Sequence, residues 1–291
     1  MTGSATPSLP SPGTLLRLGR VSNLPTVWTN VLAGNALAGG DPLSAATATA
    51  VAAMSLLYVG GMYLNDAFDH GIDAHERPTR PIPAGAMAAG SVFAAGFGML
   101  VVGVAALATR GVAPGLWGLA LAGAIVAYDA YHKGNPWGPS MMGLCRALVY
   151  LGSASATVGT SGTVLIGACA LGAHVVGLTY AARQESLDRV GSMWPLALLA
   201  LPLALGLPSV APHPATIVPW LCLACADAAA VLGLRRRAAP GAVPGAVAAL
   251  IAAVSLLDGM FAAAAGDLRV AAACLVGWGL TRVLQRWIPG T

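Results

Sequence analysis

Ten apolar stretches of about twenty residues follow one another along this chain, and they constrain its fold more than any other feature. They lie at about 24–40, 43–64, 86–109, 112–131, 139–159, 162–182, 193–208, 214–235, 243–265 and 267–287. The weakest stretch is 193–208, which is short and interrupted by Pro195 and Pro202. The pattern predicts an all-α transmembrane bundle of nine to ten helices, in which residues 14–291 form a single domain after a flexible tail at 1–13.

The low charge of the chain excludes several other classes of protein. Only 9% of the residues are charged, whereas about 25% are charged in an average soluble domain. So few charges cannot cover the surface of a soluble enzyme, and they exclude a disordered chain or a coiled coil. The net charge of +4 is also too small and too scattered for a nucleic-acid-binding face. Membrane lipid is the expected surrounding, and no nucleic-acid partner is expected.

The positions of the basic residues predict the orientation of the bundle. If the N-terminus is cytoplasmic, all 15 lysines and arginines except Arg110 and Arg269 lie on or near the cytoplasmic side. This is the asymmetry that multi-pass membrane proteins show. Arg282 and Arg286 favour ten spans over nine, because nine would leave the C-terminal end outside. We therefore expect an integral protein of the cell inner or plasma membrane with a cytoplasmic N-terminus.

Acidic residues cluster directly after the second apolar stretch. The chain has 11 acidic residues, and four of them lie between positions 66 and 76. If the second helix continues, Asn65, Asp66, Asp69 and Asp73 share one face, where the three carboxylates repel each other. A Mg²⁺ ion would remove this repulsion, and it is typically held by one or two carboxylates together with phosphate oxygens. These residues are therefore candidate metal ligands, and the three aspartates are candidate catalytic residues; the alternative is that they are solvated loop charges.

Basic residues that can bind phosphate follow the acidic cluster. Arg77 and Arg80 lie in a proline-rich loop that restricts their backbone, and each can offer paired donors to phosphate oxygens. Lys133 and Arg183, on the next two cytoplasmic loops, are further candidates. The general preference for positive charge on cytoplasmic loops also accounts for Arg77 and Arg80. Carboxylates for a metal, cations for phosphate and a membrane bundle together indicate a diphosphate carried by a lipid-like chain.

The same residues carry a resemblance to a known family. Asn65-Asp66-x-x-Asp69-x-x-x-Asp73, followed by Arg77-Pro78-x-Arg80-Pro81-Ile82-Pro83-x-Gly85, resembles the first aspartate-rich motif of the UbiA superfamily of intramembrane prenyltransferases, near its EboC-like subgroup. The similarity covers roughly residues 15–265. It implies nine transmembrane helices around a central cavity open to lipid. It also implies Mg²⁺-dependent condensation of an isoprenyl diphosphate with an acceptor that is often aromatic.

The resemblance also assigns roles to individual residues. It implies that Asn65 and Asp69 contact Mg²⁺ or its waters, with Asp66 and Asp73 as further candidates. It matches Arg80 to an arginine that faces the diphosphate, and Lys133 to a basic residue after the fourth helix.

The chain departs from the family pattern at the second aspartate-rich motif. The loop after the sixth stretch holds Glu185 and Asp188, which can share a helical face and are flanked by Arg183 and Arg189. The usual motif has more aspartates at wider spacing. Glu185 and Asp188 are therefore predicted ligands of a weakened second metal site.

The expected activity is that of a prenyltransferase, with an isoprenyl diphosphate and an unknown acceptor as substrates. The alternative is a non-catalytic or transport-associated membrane protein that binds isoprenoid phosphate lipids on the same fold. His174, Asp227 and Asp258 lie within apolar stretches, where ionisable groups are costly. They either line the cavity and contact the acceptor, or bond to each other and to backbone inside the bundle.

Overall fold

The computed structural model describes residues 10–183, 192–236 and 240–290, and these residues form helices joined by short turns without any strand. The helices are α1 Pro12–Leu18, α2 Leu24–Leu37, α3 Ala45–Phe68, α4 His70–Glu76, α5 Ala89–Ala108, α6 Val112–Tyr131, α7 Gly138–Thr157, α8 Gly162–Ala182, α9 Ala200–Gly206, α10 Ile217–Arg236, α11 Ala242–Ala264 and α12 Leu268–Leu284. The prediction of an all-α protein is therefore confirmed for the part of the chain that the structure describes.

A helix lies at each of the ten apolar stretches. Six segments are long and apolar enough to cross a membrane, namely α3, α5, α6, α8, α11 and the segment Pro214–Arg236 that contains α10. The chain is thus a multi-pass membrane protein. The stretch at 193–208 is interrupted as its prolines predict, since α9 is flanked by 3₁₀ turns at Trp194–Leu199 and Leu207–Ser209. At the other end of the chain, α1 begins at Pro12, inside the predicted tail, and residues 1–9 lie outside the described part.

Side-chain caps set the starts of several helices. The Ser44 hydroxyl accepts a hydrogen bond from the Thr47 amide at the start of α3, and Ser161 does the same for Val164 at the start of α8. A carboxylate oxygen of Asp267 accepts hydrogen bonds from two amides of the first turn of α12. These side chains satisfy amide donors that have no partner within the helix. These caps therefore fix the residues at which α3, α8 and α12 begin.

Helix α11 lies at the centre of the bundle, and α5 lies at its periphery. In the most apolar stretch of α11, 83% of the residues are buried, against 28% in α5. Val101 of α5 is 68% exposed, as expected for a side chain that faces lipid. Helices α3 and α5 approach closely at Gly60, where an added Cβ would lie 2.9 Å from the Gly96 carbonyl oxygen. Small residues bring α3 against α5, and the C-terminal end of α3 carries the acidic cluster.

Candidate active site

The acidic cluster lies where α3 meets α4. The predicted continuous helix breaks at Asp69, which ends α3 and precedes α4. The helical hydrogen-bond spacing nevertheless continues through the junction. The Asp69 amide donates to the Asn65 carbonyl at 3.0 Å, and the Asp73 amide donates to the Asp69 carbonyl at 2.8 Å. Asn65, Asp69 and Asp73 therefore keep the helical spacing that the sequence predicts, although α3 ends at Phe68.

Arginines compensate two of the three aspartates in this cluster, Asp66 and Asp73. Arg80 Nη1 lies 3.0 Å from Asp66 Oδ1 and 2.8 Å from Asp73 Oδ2. Arg20 Nη2 lies 3.2 Å from the same Asp66 oxygen and 3.1 Å from Asn65 Oδ1. Asp66 and Asp73 are 7% and 1% exposed, so these ion pairs are shielded from water. The carboxylate repulsion inferred from the sequence is thus offset by protein cations in this structure.

The loop after α6 supplies a basic pair to the third aspartate. Asp69 Oδ2 lies 3.3 Å from Lys133 Nζ and 3.6 Å from His132 Nε2. The His132 ring stacks on Tyr128 with 4.7 Å between ring centroids, and its Nδ1 lies 3.1 Å from the Tyr128 carbonyl oxygen. Burial lowers the pKa of His132 below its ordinary value, although Asp69 opposes that shift.

A cavity of about 620 Å³ opens in front of these groups. Its lining includes five cationic side chains, which are Arg20, Arg77, Arg80, Lys133 and Arg183. Asn65 and Asp69 line it as well, while Asp66 and Asp73 stand behind the arginines. Several cations around one concave space favour a ligand with several negative oxygens. The cavity therefore has the charge and size of a diphosphate site.

The proline-rich loop after α4 holds Arg80 in place. The Ala84 amide donates to the Arg80 carbonyl at 2.9 Å, and the Ala86 amide donates to the Pro81 carbonyl at 2.9 Å. Gly85 closes this turn with φ = 73°, a conformation that glycine adopts without steric cost. The Arg-Pro-x-Arg-Pro-Ile-Pro-x-Gly sequence thus folds into a compact turn, as its prolines predict.

Arg20 is the principal site residue that sequence reasoning missed. The charge asymmetry of the loops accounts for an arginine at this position without predicting any contact with the acidic cluster. Arg20 adopts φ = 42° and is the sole non-glycine residue with positive φ in the described ranges. Such a backbone costs about 1 kcal/mol or more, and it is found most often where function requires it. The Tyr58 hydroxyl donates to the Arg20 carbonyl at 3.2 Å, which helps to hold this backbone in place.

The oxygen ligands fit a Mg²⁺ ion that is shared with a phosphate group. Asn65 and Asp69 face the cavity with oxygen atoms of the kind that Mg²⁺ prefers. Among the described residues, no group of three or more His, Cys, Asp or Glu side chains is arranged to hold a metal ion. A closed protein cage is therefore absent from this part of the chain. Glu185 and Asp188, the predicted second ligand set, lie outside the described residues.

His174, Asp227 and Asp258 fall into two buried groups, and none of the three lines this cavity. His174 Nδ1 lies 3.8 Å from Asp227 Oδ2, and His174 Nε2 lies 3.1 Å from the Leu250 carbonyl oxygen. Asp258 accepts hydrogen bonds from Thr29, Asn30 and Tyr150. These contacts support the second interpretation from the sequence, in which the three residues bond to each other and to groups inside the bundle.

The fold and the cavity together define a multi-pass membrane protein with a cation-lined cavity at one end of its helices. Residues 26–273 match the UbiA prenyltransferase family. The chain belongs to that family, and the resemblance seen in the aspartate-rich segment is confirmed.

Curated relatives and solved structures agree with this membership. The chain is 36% identical over 162 residues to a digeranylgeranylglyceryl phosphate synthase of Haloquadratum walsbyi, which covers 53% of this chain and 50% of the relative. It is 36% identical over 172 residues to the enzyme of the same name from Halobacterium salinarum, covering 58% of this chain and 56% of the relative. The chain thus matches only about half the length of these relatives.

The structural likeness extends over most of the chain. A UbiA homolog from Aeropyrum pernix K1 superposes with a TM-score of 0.67 at 20% identity, covering 83% of this chain and 96% of the homolog. A structure titled as a digeranylgeranylglyceryl phosphate synthase superposes with a TM-score of 0.63 at 16% identity, covering 88% of this chain and 98% of that one. At these low sequence identities, the superpositions show that this chain shares the fold of the two proteins.

Proposed function

We propose that this protein transfers an isoprenyl group from an isoprenyl diphosphate to an acceptor within the membrane, with Mg²⁺ as cofactor. The observation that carries the proposal is the cavity whose lining combines five cations with Asn65 and Asp69 at one end of a bundle of membrane helices. The cations can bind the diphosphate group, and the apolar membrane helices can accommodate the isoprenyl chain.

The reaction builds negative charge on the leaving group. The bond between the allylic carbon and the diphosphate oxygen breaks, and its electron pair stays on the diphosphate. The acceptor forms the new bond to the allylic carbon and loses a proton to the released diphosphate. Arg77, Arg183 and Lys133 donate hydrogen bonds to the departing oxygens, so their interaction strengthens as charge develops. The apolar helices exclude water, which would otherwise capture the carbocation.

Asn65 and Asp69 are the residues that would hold Mg²⁺ against the diphosphate. The bound ion supplies Lewis-acid stabilisation of the leaving group. Asp66 and Asp73 act in this proposal mainly by orienting Arg20 and Arg80, to which they are paired. Glu185 and Asp188 remain predicted ligands of a second ion.

The relatives suggest a substrate class. Their name specifies a glyceryl phosphate that carries two geranylgeranyl groups. This favours geranylgeranyl diphosphate as the donor and a glyceryl phosphate lipid as one acceptor to examine. We also propose that the cavity opens on the cytoplasmic side, because the basic residues concentrate at that end.

The direct test uses purified protein in lipid nanodiscs with labelled geranylgeranyl diphosphate and a panel of lipid acceptors. We expect diphosphate release that requires Mg²⁺ and falls at least a hundredfold in Asp69→Asn. Asp41→Asn is the matched control, because Asp41 is exposed in the turn between α2 and α3. Unchanged activity in Asp69→Asn would reject the assigned metal ligand.

The second candidate function is a carrier that binds isoprenoid phosphate lipids without reaction. It is favoured by the pairing of Asp66 and Asp73 with arginines, because a site neutralised by protein cations binds phosphate without a metal. Binding of geranylgeranyl diphosphate in EDTA, with no release of diphosphate in the presence of Mg²⁺ and any acceptor tested, would favour the carrier.

A further inference from the structure

The C-terminal segment, residues 285–290, packs against the start of α2. It leaves the end of α12 in tight turns, in which the Ile288 amide donates to the Leu284 carbonyl at 3.0 Å. This segment and most of α12 lie beyond residues 26–273, the range that matches the family. The contacts of the segment with the rest of the bundle are therefore a feature of this chain that family membership does not explain.

Both polar atoms of the Asn23 side chain bond to the C-terminal segment. Asn23 Nδ2 donates to the Gly290 carbonyl at 2.8 Å, and Asn23 Oδ1 accepts a hydrogen bond from Gln285 Nε2 at 3.3 Å. Gln285 Nε2 also donates to the Ala248 carbonyl of α11 at 3.1 Å, which ties the segment to the centre of the bundle. Asn23 is 4% exposed, and a buried amide whose two polar atoms are both paired is held in one orientation.

The backbone of Gly290 approaches Asn23 more closely than a larger residue would allow. An added Cβ on Gly290 would lie 2.7 Å from Asn23 Oδ1 and 3.1 Å from Asn23 Nδ2. Glycine is the residue that permits such a close approach of backbone to a neighbouring group. A side chain at position 290 would therefore displace either the C-terminal segment or the Asn23 amide.

Asn23 closes the turn that carries Arg20. Residues 19–23 join α1 to α2, and we call them the entry turn. The Asn23 amide donates to the Arg20 carbonyl at 3.0 Å, and the same carbonyl accepts the hydrogen bond from the Tyr58 hydroxyl. The backbone of Arg20 has φ = 42°, and a costly conformation of this kind persists only where surrounding contacts hold it. The contacts of Asn23 therefore help to keep Arg20 in its left-handed conformation.

Arg20 connects the entry turn to the cation-lined cavity. Its Nη2 donates to Asn65 Oδ1 and Asp66 Oδ1, and its side chain lines the cavity. Within the described ranges, neither Gln285 nor Gly290 belongs to the cavity lining. An effect of the C-terminal segment on a ligand in the cavity must therefore pass through the entry turn and Arg20.

We infer that the C-terminal segment positions Arg20 for binding of the diphosphate, with Gln285 and Asn23 as positioning residues. The inference rests on the proposed prenyl transfer and adds a part of the chain that acts on its diphosphate site from 262 positions away. Without the hydrogen bonds from Gln285 and to Gly290, the Asn23 side chain loses its fixed orientation. The entry turn then relaxes from its costly conformation, and the Arg20 guanidinium no longer points steadily at the ligand.

Hydrogen exchange followed by mass spectrometry tests the contact in the full chain without any ligand. Gln285→Met keeps the length of the side chain and removes the amide that donates to Asn23. We expect amide exchange in the peptide that covers the entry turn to rise about fivefold or more, because the hydrogen bonds of this turn open more often. Val283→Met is the matched control, because Val283 is an exposed residue of α12, and it should leave this exchange unchanged.

Pyrophosphate binding in the presence of Mg²⁺, measured by titration calorimetry on the full chain in detergent, tests the consequence for the cavity. Gln285→Met and Gly290→Val should each weaken binding about fivefold, and Val283→Met should not. In an Arg20→Met background, Gln285→Met should change the affinity less than twofold, because the segment acts through Arg20. General damage to the fold would instead lower the affinity by the same factor in both backgrounds.

The outcomes separate this inference from the proposed function. Equal exchange of the entry turn in the unmodified chain, Gln285→Met and Gly290→Val overturns the inference. So does a pyrophosphate affinity that Gln285→Met leaves unchanged, or lowers equally with and without Arg20. Should Gln285→Met not fold, Gly290→Val decides, since it keeps every hydrogen-bonding side chain. Failure of the unmodified chain to bind pyrophosphate overturns the proposed function instead, and the exchange measurement still decides whether the segment holds the entry turn.

Discussion

The ion pair between Arg80 and Asp73 permits a quantitative test of how the acidic cluster is stabilised. Removing one member of a buried ion pair costs about 3–5 kcal/mol, because the other charge is left without compensation. The Asp73 side chain is 1% exposed and the Arg80 side chain 16%, so water reaches only the arginine. We therefore expect Arg80→Met to lower the free energy of unfolding by about 3 kcal/mol, the lower end of that range.

A double-variant cycle distinguishes this ion pair from general damage. Asp73→Asn keeps the shape of the side chain and an oxygen acceptor, so its cost alone should be about 1 kcal/mol. The double variant Arg80→Met/Asp73→Asn no longer has the buried Asp73 carboxylate that Arg80→Met alone leaves without a cation. Asp66 is still paired with Arg20 in this variant. The combined loss should therefore fall short of the sum of the single losses by about 1–2 kcal/mol.

The assay is unfolding in mixed detergent micelles without Mg²⁺, followed by tryptophan fluorescence. Arg110→Met serves as control and should stay within about 0.5 kcal/mol of the unmodified chain, as an exposed substitution. If the two single losses add to within about 0.5 kcal/mol, the two side chains do not interact, and the account of arginine-compensated aspartates is wrong.

Three further predictions concern the backbone, the helix packing and the buried network. Arg20→Gly should unfold with about 1 kcal/mol more stability than Arg20→Ala, because glycine tolerates φ = 42°, while both variants should lose pyrophosphate affinity in a filter-binding assay. Gly60→Ala should cost about 1–3 kcal/mol in thermal unfolding because its Cβ would press on a carbonyl of α5, whereas Gly98→Ala, whose Cβ meets open space, should cost none. Tyr150→Phe removes a 2.7 Å hydrogen bond to buried Asp258 and should cost about 1–3 kcal/mol by the same measurement; an unchanged midpoint would show that this donor is replaceable.

Much of the architecture was predictable, because its physical causes are local in the chain. The length and apolarity of the stretches predict helices in lipid, and a helix lies at each of them. Pro195 predicts the 3₁₀ segment before α9, since proline removes a donor and clashes in a helix interior, whereas Pro202 lies in the first turn of α9, where proline is tolerated. The spacing of Asn65, Asp69 and Asp73 predicts one face, which holds even though the helix breaks at Asp69.

The residues that form ion pairs and hydrogen bonds with this cluster were harder to predict from the sequence. Arg20 precedes Asp66 by 46 positions, and nothing in the local pattern of either segment pairs them. Asp129 meets Asn65 across 64 positions, so its place next to the cation-lined cavity depends on how α6 packs against α3. A signal for Arg20 did exist, since it lies next to Gly19 at the entrance of the first apolar stretch. The preference for positive charge on cytoplasmic loops, however, explains an arginine at position 20 equally well.

By itself the sequence determined a lipid-embedded helical bundle with its carboxylates and cations concentrated at one end, because hydropathy and helical spacing depend on neighbours in the chain. Only the tertiary structure decided that Arg80 and Arg20 neutralise Asp66 and that Lys133 meets Asp69. These pairings join residues that are distant in the sequence, and electrostatic energy depends on the separation and shielding of charges in space.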